Sequence, residues 1–280
     1  MDDQARYSAA LLSGRETLFH IARRSGFRTA AVMPAITFDW PEAQYMGFDT
    51  VLAAADLGYR GKSFNWVTMP DQFTLAALDH LLRSEQDERP LFAQVALISS
   101  HAPWVPVPEI LDWETVGDGH VFDAAATSGD PPEVVWRDRG RVRAQYRLAI
   151  DYALATVFDY AARQADDPPL MIIVGDHQAA GFIALDDRPD VPIHVVGPHD
   201  LVRRFETEGW SDGLIPAPNP APVPMDRMRD MILRSYSTGA GVEAGFPSDR
   251  ARKKKAGPKS DSTAARFALA SPSKPVSKTR

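Results

Sequence analysis

The run Leu91-Phe92-Ala93-Gln94-Val95-Ala96-Leu97-Ile98 is almost continuously apolar. A run of this length and character reads as a strand covered on both faces, as strands are in a parallel sheet flanked by helices. Two shorter runs repeat the pattern, Leu170 to Val174 before Gly175 and Val191 to Val196, and Arg28 to Met33 adds a strand closed by Pro34. Helical periodicity fills the intervals. Residues 15 to 25 put Leu18, Ile21 and Ala22 on one face before Gly26, and Pro70-Asp71 opens a helix that carries Phe73, Ala77 and Leu81 on one stripe to about Ser84. A longer helix from about Arg141 to Gln164 spaces Tyr146, Ile150, Leu154, Val157 and Ala161 by three to four. A short helix near Leu201 to Glu206, a proline-rich extended segment from Pro216 to Pro224 and a last helix from Met225 to Tyr236 complete the pattern. Val105 to Gly140, rich in Pro, Gly, Asp and Trp, reads as a long loop over the sheet. Strands alternating with helices predict an α/β fold with a mostly parallel sheet flanked by helices.

The chain of 280 residues is long enough to bury a sizeable core, and its 44% apolar and 24% charged residues are ordinary for a globular protein. The absence of cysteine excludes thiolate catalysis, Cys-ligated zinc and iron–sulfur clusters. Charge is uneven: residues 249–280 hold ten Lys/Arg against two Asp/Glu, leaving 21 against 35 in residues 1–248. We therefore expect an acidic folded domain over 1–248 and a basic, disordered tail over 249–280. Neither a signal peptide nor a membrane-length apolar run is visible, so the default location is the cytoplasm. Without aromatic–basic interleaving, no nucleic-acid partner is expected.

In a parallel α/β sheet, ligands gather beyond the carboxyl ends of the strands. Leu170 to Val174 empties into Gly175-Asp176-His177-Gln178, where a carboxylate and an imidazole on adjacent residues can bind one divalent cation, and Gly175 permits a sharp turn. Leu91 to Ile98 empties into Ser99-Ser100-His101-Ala102-Pro103-Trp104, a histidine on a proline-stiffened loop. Each segment also has a plain structural reading, a helix cap with a surface histidine for the first and a structural histidine for the second. Gly58-Tyr59-Arg60-Gly61-Lys62-Ser63 imitates the end of a phosphate-binding loop, but Asp56 stands where that pattern needs glycine. His194, inside an apolar strand, reads as a core histidine, and Trp40 and Trp66 as packing under loops.

Taken in order, Ser-His-x-Pro-aromatic after one strand, a long helix containing Tyr146 and Asp151, and apolar strand–Gly-Asp-His resemble the sulfatase-like branch of the alkaline phosphatase superfamily. The likeness is to phosphoglycerol transferases of the lipoteichoic-acid-synthase type. Glu16-Thr17-Leu18 with Ser25-Gly26-Phe27-Arg28-Thr29, and downstream Val191-Pro192-Ile193-His194-Val195-Val196-Gly197, extend the resemblance to about residues 13 to 200.

The resemblance implies an alkaline-phosphatase-like domain in which Asp176 and His177 are ligands of a divalent metal (Mn, Mg, Ca or Zn). His101 would contact the transferring phosphate or the leaving oxygen. It also implies a phosphate- or sulfate-ester substrate and, in relatives, a membrane-tethered catalytic domain outside the cytoplasm. The family's first metal-binding carboxylate and its Thr, Ser or formylglycine nucleophile precede the Gly-aromatic-x-Thr step, which here begins at Gly26. The expectation is therefore a domain lacking its N-terminal strand and nucleophile helix, inactive as an isolated chain. Thr17, inside a predicted helix, and Ser13 are not promoted in the nucleophile's place. Alternatives are a non-catalytic remnant, a half-domain completed by a partner chain that supplies the missing segment, and an unrelated α/β binding module.

Overall fold

The computed structural model describes residues 7, 9–11, 13–84, 87–205, 210–215 and 222–237. The chain divides at Ser237–Thr238 into two units, and the described residues belong to the first. The expected basic tail, 249–280, lies outside the described residues, as does part of the proline-rich segment.

Helix α1 (Leu18–Arg24) starts at Thr17, whose side chain accepts from the His20 amide while the His20 ring accepts from the Thr17 amide. Thr17 is thus the cap preceding the helix rather than a residue within it. Gly26, at φ +91°, turns the chain into β1 (Arg28–Met33). This strand is buried from Arg28 to Val32, with Ala31 and Val32 fully inaccessible, because it lies between β2 (Thr50–Ala53) and β3 (Leu91–Val95) in a three-stranded parallel sheet of order β2-β1-β3. The register pairs Ala30 with Thr50 on one side and with Ala93 on the other. The continuous apolar run beginning at Leu91 therefore forms an edge strand, shorter than expected and half-buried. Ala96 still donates to the Val32 carbonyl of β1, and two residues beyond it Ile98 is buried in the main core.

Helix α2 (Asp71–Leu78) passes into a wider π turn, Asp79–Arg83, and is buried on nearly every face. It packs Phe73, Leu75, Ala77 and Leu78 into the main core with Ala30 and Val32 of β1. The segment 105–140 contributes 3-10 turns at Trp113–Thr115 and His120–Phe122 and two one-turn helices, α3 (Asp123–Ala126) and α4 (Pro132–Val135). Val116 and Phe122 from it reach the main core, so this long loop is a structural layer.

Helix α5 (Arg139–Arg163) is capped by Asp138, whose carboxylate accepts from the Gly140 and Arg141 amides at 2.7 and 3.0 Å. Its C-terminal half packs Val157 and Tyr160 on the main core, and its N-terminal half packs Val142 and Ala149 into a second cluster. The buried stripe, Val142, Ala149, Tyr152, Thr156, Val157 and Tyr160, shares Val157 with the one expected and is otherwise offset from it, and three of its members carry hydroxyls.

The remaining strands correct the expected sheet. β4 (Met171–Val174) and β5 (Ile193–Val196) pair antiparallel, Ile173 opposite His194, in a separate two-stranded ribbon. Helix α6 (Gly181–Ala184), the one turn between them, packs on α5 instead of crossing the strands, so the ribbon lacks the crossover that parallel pairing requires. Met171 and Ile173 of β4 still face the main core. Helices α7 (His199–Val202) and α8 (Met228–Tyr236) follow, joined where the Tyr236 hydroxyl donates to the Leu201 carbonyl. The fold is α/β, a parallel sheet flanked by helices with an antiparallel ribbon beside it. No helix among the described residues is long and apolar enough to cross a membrane.

Candidate functional site

His101 leaves the end of β3 on a turn closed by its own amide, which donates to the Ile98 carbonyl at 2.9 Å. The loop is pinned from both sides. Upstream, the Ile98 and Ser99 amides both donate to Asp71 Oδ1 at 2.8 Å, and the Asp71 amide donates to Ser99 Oγ at 2.9 Å. Downstream, Trp104 Nε1 donates to the Ser100 carbonyl at 2.8 Å, and its ring stacks on Trp136 at 5.5 Å and meets Tyr146 edge-on. Trp104 holds a left-handed backbone, φ +61°, which a bulky residue adopts only when its surroundings impose it.

The imidazole itself is exposed. Its Nδ1 lies 2.7 Å from the Ala102 carbonyl, and because a carbonyl can only accept, Nδ1 carries the proton and Nε2 faces outward. Phe64, Val67, Pro70, Ser99 and Trp104 border a hollow of about 10 Å³ beside it, room for one water molecule. A wider groove of about 230 Å³ opens beyond Val105, rimmed by Gln145 and the Arg141–Asp130 ion pair.

Asp176 and His177 follow β4 directly. Gly175 serves a close approach rather than a positive φ: a Cβ there would lie 3.2 Å from the Val191 Cβ, where the Gly175 amide donates to the Pro192 carbonyl. Both side chains are open to solvent, Asp176 at 89% and His177 at 76%. Asp176 Oδ1 accepts from the His177 amide at 2.9 Å, and His177 Nδ1 donates to the Gln178 carbonyl at 2.8 Å. That bond leaves the Nε2 lone pair free, 3.6 Å from Asp176 Oδ2. A carboxylate oxygen and an oriented imidazole nitrogen this close can share one hard or borderline cation, so these two residues fit a divalent metal as donors. Among the described residues no group of three or more His, Asp or Glu side chains surrounds such a point.

The two motifs meet through packing. Ala102 and Trp104 from the His101 loop, and Ala179 and Ile183 from the segment after His177, join one cluster around Val142 and Ala149 of α5. His194 sits apart, half-buried with its ring edge-on to Phe158, and burial lowers its pKa and favours the neutral ring. Trp40 packs on Phe48, but Trp66 is 82% exposed at the tip of a tight turn closed by Phe64 and Val67, a correction to its reading as packing.

The buried polar group behind the His101 loop escapes sequence reasoning. Asp71, Gln72 and Thr156 are inaccessible and Ser99 and Tyr152 nearly so. Pro70-Asp71 reads from sequence as a helix start alone, and nothing in the pattern links it to Ser99. Burial pushes the Asp71 carboxyl up to about 6, against the lowering pull of its amide donors.

A parallel α/β sheet with polar loops after its strands defines a class broader than one family. The sulfatase family model matches residues 3–184, and the chain belongs to the sulfatase family. No curated protein matches the sequence. Similar solved structures include the lipoteichoic acid synthase LtaP from Listeria monocytogenes, at 16% identity and a TM-score of 0.42, over 61% of this chain and 40% of that one. Another is a protein in the alkaline phosphatase superfamily from Vibrio parahaemolyticus, at 19% identity and a TM-score of 0.41, over 66% of this chain and 42% of that one. The chain spans about two fifths of the length of each.

Proposed function

We propose that the chain supplies the leaving-group side and part of the metal site of a metal-dependent hydrolase or transferase acting on phosphate or sulfate esters. The observation that carries this reading is the convergence of both motif loops on the N-terminal half of α5. His101 Nε2 is the atom that would exchange a proton with the leaving oxygen, since Nδ1 is engaged by Ala102. To donate that proton, the ring must enter the reaction as the imidazolium. Asp176 and His177 Nε2 would hold the cation, which when bound neutralises ester oxygens and lowers the pKa of a hydroxyl nucleophile.

Neither Thr17 nor Ser13 is offered as that nucleophile. Thr17 Oγ1 caps α1 and donates to the Met46 carbonyl at 2.5 Å, while Ser13 Oγ donates to the Ala10 carbonyl. The isolated 280-residue polypeptide should therefore turn over aryl phosphates and aryl sulfates negligibly. Activity should appear with Mn²⁺ when a polypeptide carrying a carboxylate and a Thr or Ser nucleophile is added, and vanish with Asp176→Ala. Robust metal-dependent turnover by the isolated chain would overturn the nucleophile argument.

A second reading, a half-domain that works with a partner chain, is favoured by the strand edges. The Arg28 amide donates to the Pro90 carbonyl and the Ala96 amide to the Val32 carbonyl, so Ala93 and Val95 turn their backbone groups away from β1. By the same alternation Ile172 and Val174 turn theirs away from β5. Among the described residues no strand pairs either edge, and such edges recruit other strands. Light scattering should then show self-association, and a monodisperse monomer would count against this reading.

A further inference from the structure

Asp71 is a fully buried carboxylate at the start of α2, thirty residues before the histidine whose loop it holds. Both acceptor bonds fall on one oxygen: Oδ1 takes the Ile98 and Ser99 amides, while Oδ2 is buried without a partner. The Asp71 amide returns a bond to Ser99 Oγ, so helix start and loop start clasp each other reciprocally. The next bond along the chain runs from the His101 amide to the Ile98 carbonyl. One residue, Ile98, thus links the carboxylate to the histidine's own turn.

We infer that Asp71 is a positioning residue that aims His101 by fixing the Ile98–Ser99 turn beneath it. The importance of that aim for ester chemistry rests on the role proposed above for His101. Burial supports the assignment, because a carboxyl taken out of water is costly unless hydrogen-bonded, and the bonds Asp71 Oδ1 accepts are those of the two loop amides. The titratable group facing it from α5 is Tyr152, whose hydroxyl lies 3.4 Å from the Gln72 amide, with Tyr59 coupled to Tyr152 in turn. Burial holds both phenols far above neutral pH, so neither changes charge while Asp71 does. Ser99 contributes an uncharged hydroxyl. His101, on the loop itself, is the remaining group to separate experimentally.

The test uses the full chain, without metal or ester, so a failure to bind Mn²⁺ or to turn over substrate leaves its outcome intact. Asp71→Asn keeps Oδ1 for both amides but cannot ionise, whereas Asp71→Ala removes the acceptor. In the wild type, the Ile98 and Ser99 amide nitrogen shifts should titrate together with an inflection near pH 6. The inflection should vanish in Asp71→Asn and persist in His101→Ala. Amide exchange at His101 should accelerate at least about tenfold in Asp71→Ala and stay within about twofold in Asp71→Asn, as expected when a buried acceptor of two amides is lost or kept. Persistence of the inflection in Asp71→Asn, its loss in His101→Ala, or equal exchange at His101 in wild type and Asp71→Ala would each overturn the inference. If Asp71→Ala does not fold, the titrations of the other two variants decide alone.

Discussion

The loops that carry His101 and the Asp176–His177 pair both leave the ends of strands and both rest on α5, yet they are held in opposite ways. The His101 loop is clasped by a buried carboxylate on one side and by stacked tryptophans on the other. The Asp176–His177 segment rests mainly on near-neighbour hydrogen bonds and on the Gln178 side chain, which donates to the Asp190 carbonyl at 2.7 Å. The contrast suits the two roles proposed above, a proton donor at His101 and a pair of metal donors at Asp176 and His177. A proton donor must be aimed before substrate arrives, so rigidity there serves the chemistry. Metal donors are ordered by the ion and by further ligands, so an exposed pair can remain loosely supported until the site is complete.

The sharpest way to break this contrast is to remove the downstream clasp. Trp104→Ala deletes a nearly buried ring that stacks on Trp136, meets Tyr146 and ties back to Ser100. We expect a loss of about 4 kcal/mol in urea unfolding, the usual range for a large aromatic removed from a packed cluster. A loss below about 1 kcal/mol would mean that the loop is no better held than the segment after β4.

The upstream clasp has a pH signature. Because the folded state raises the Asp71 carboxyl from 3.8 to about 6, folding favours its protonated form. The wild type is therefore favoured below about pH 4, loses that advantage as pH rises toward 6, and changes no further from this group above it. The shift corresponds to about 3 kcal/mol. The stability difference between wild type and Asp71→Asn, measured at several pH values from 4 to 7, should move by roughly that amount in favour of the variant. A difference constant across the window would show that the carboxyl titrates alike in folded and unfolded chains.

These two residues also mark where sequence reading succeeds and where it stops. Arg28–Met33 was legible to the residue because the run Ala30-Ala31-Val32 stands between Gly26 and Pro34, which punctuate the chain, and α5 lay within two residues of its expected ends. β2 was missed because Thr50–Ala53 is four residues long and gains its identity from pairing with β1. The antiparallel ribbon was missed because apolar runs encode burial and leave the direction of pairing open. The positions of His101 and of Asp176 and His177 after their strands were legible as motifs. Asp71, Tyr152 and Thr156 were not, since polar residues read as surface until a tertiary partner accounts for their burial.

A smaller effect probes the ribbon itself. Gly175→Ala would bring a methyl group to 3.2 Å from the Val191 Cβ, closer than ordinary contact, at the point where β4 and β5 separate. The ribbon should yield at a cost of about 1 kcal/mol. The shift should be visible in the amide resonances of Val191 and Ile193 and absent from those of Ser99 and His101. Equal perturbation of both loops would mean that they move as one body.

The smallest stability effect belongs to the residue with the largest proposed chemical role. Asp176 is exposed, and its bonds within the described residues are to its neighbour His177, so Asp176→Ala should change unfolding stability by less than about 0.5 kcal/mol. Mn²⁺ binding should respond quite differently. Two donors leave most of the coordination sphere to water, so wild-type affinity should be weak, and removing the carboxylate leaves one neutral imidazole with no charge to oppose the cation's hydration. Calorimetric titration should therefore give a measurable isotherm for the wild type and none for Asp176→Ala, while His177→Ala should weaken binding less, because the charged donor remains. Identical isotherms for wild type and Asp176→Ala would remove Asp176 from the metal site and leave the pair as surface residues on a tight turn.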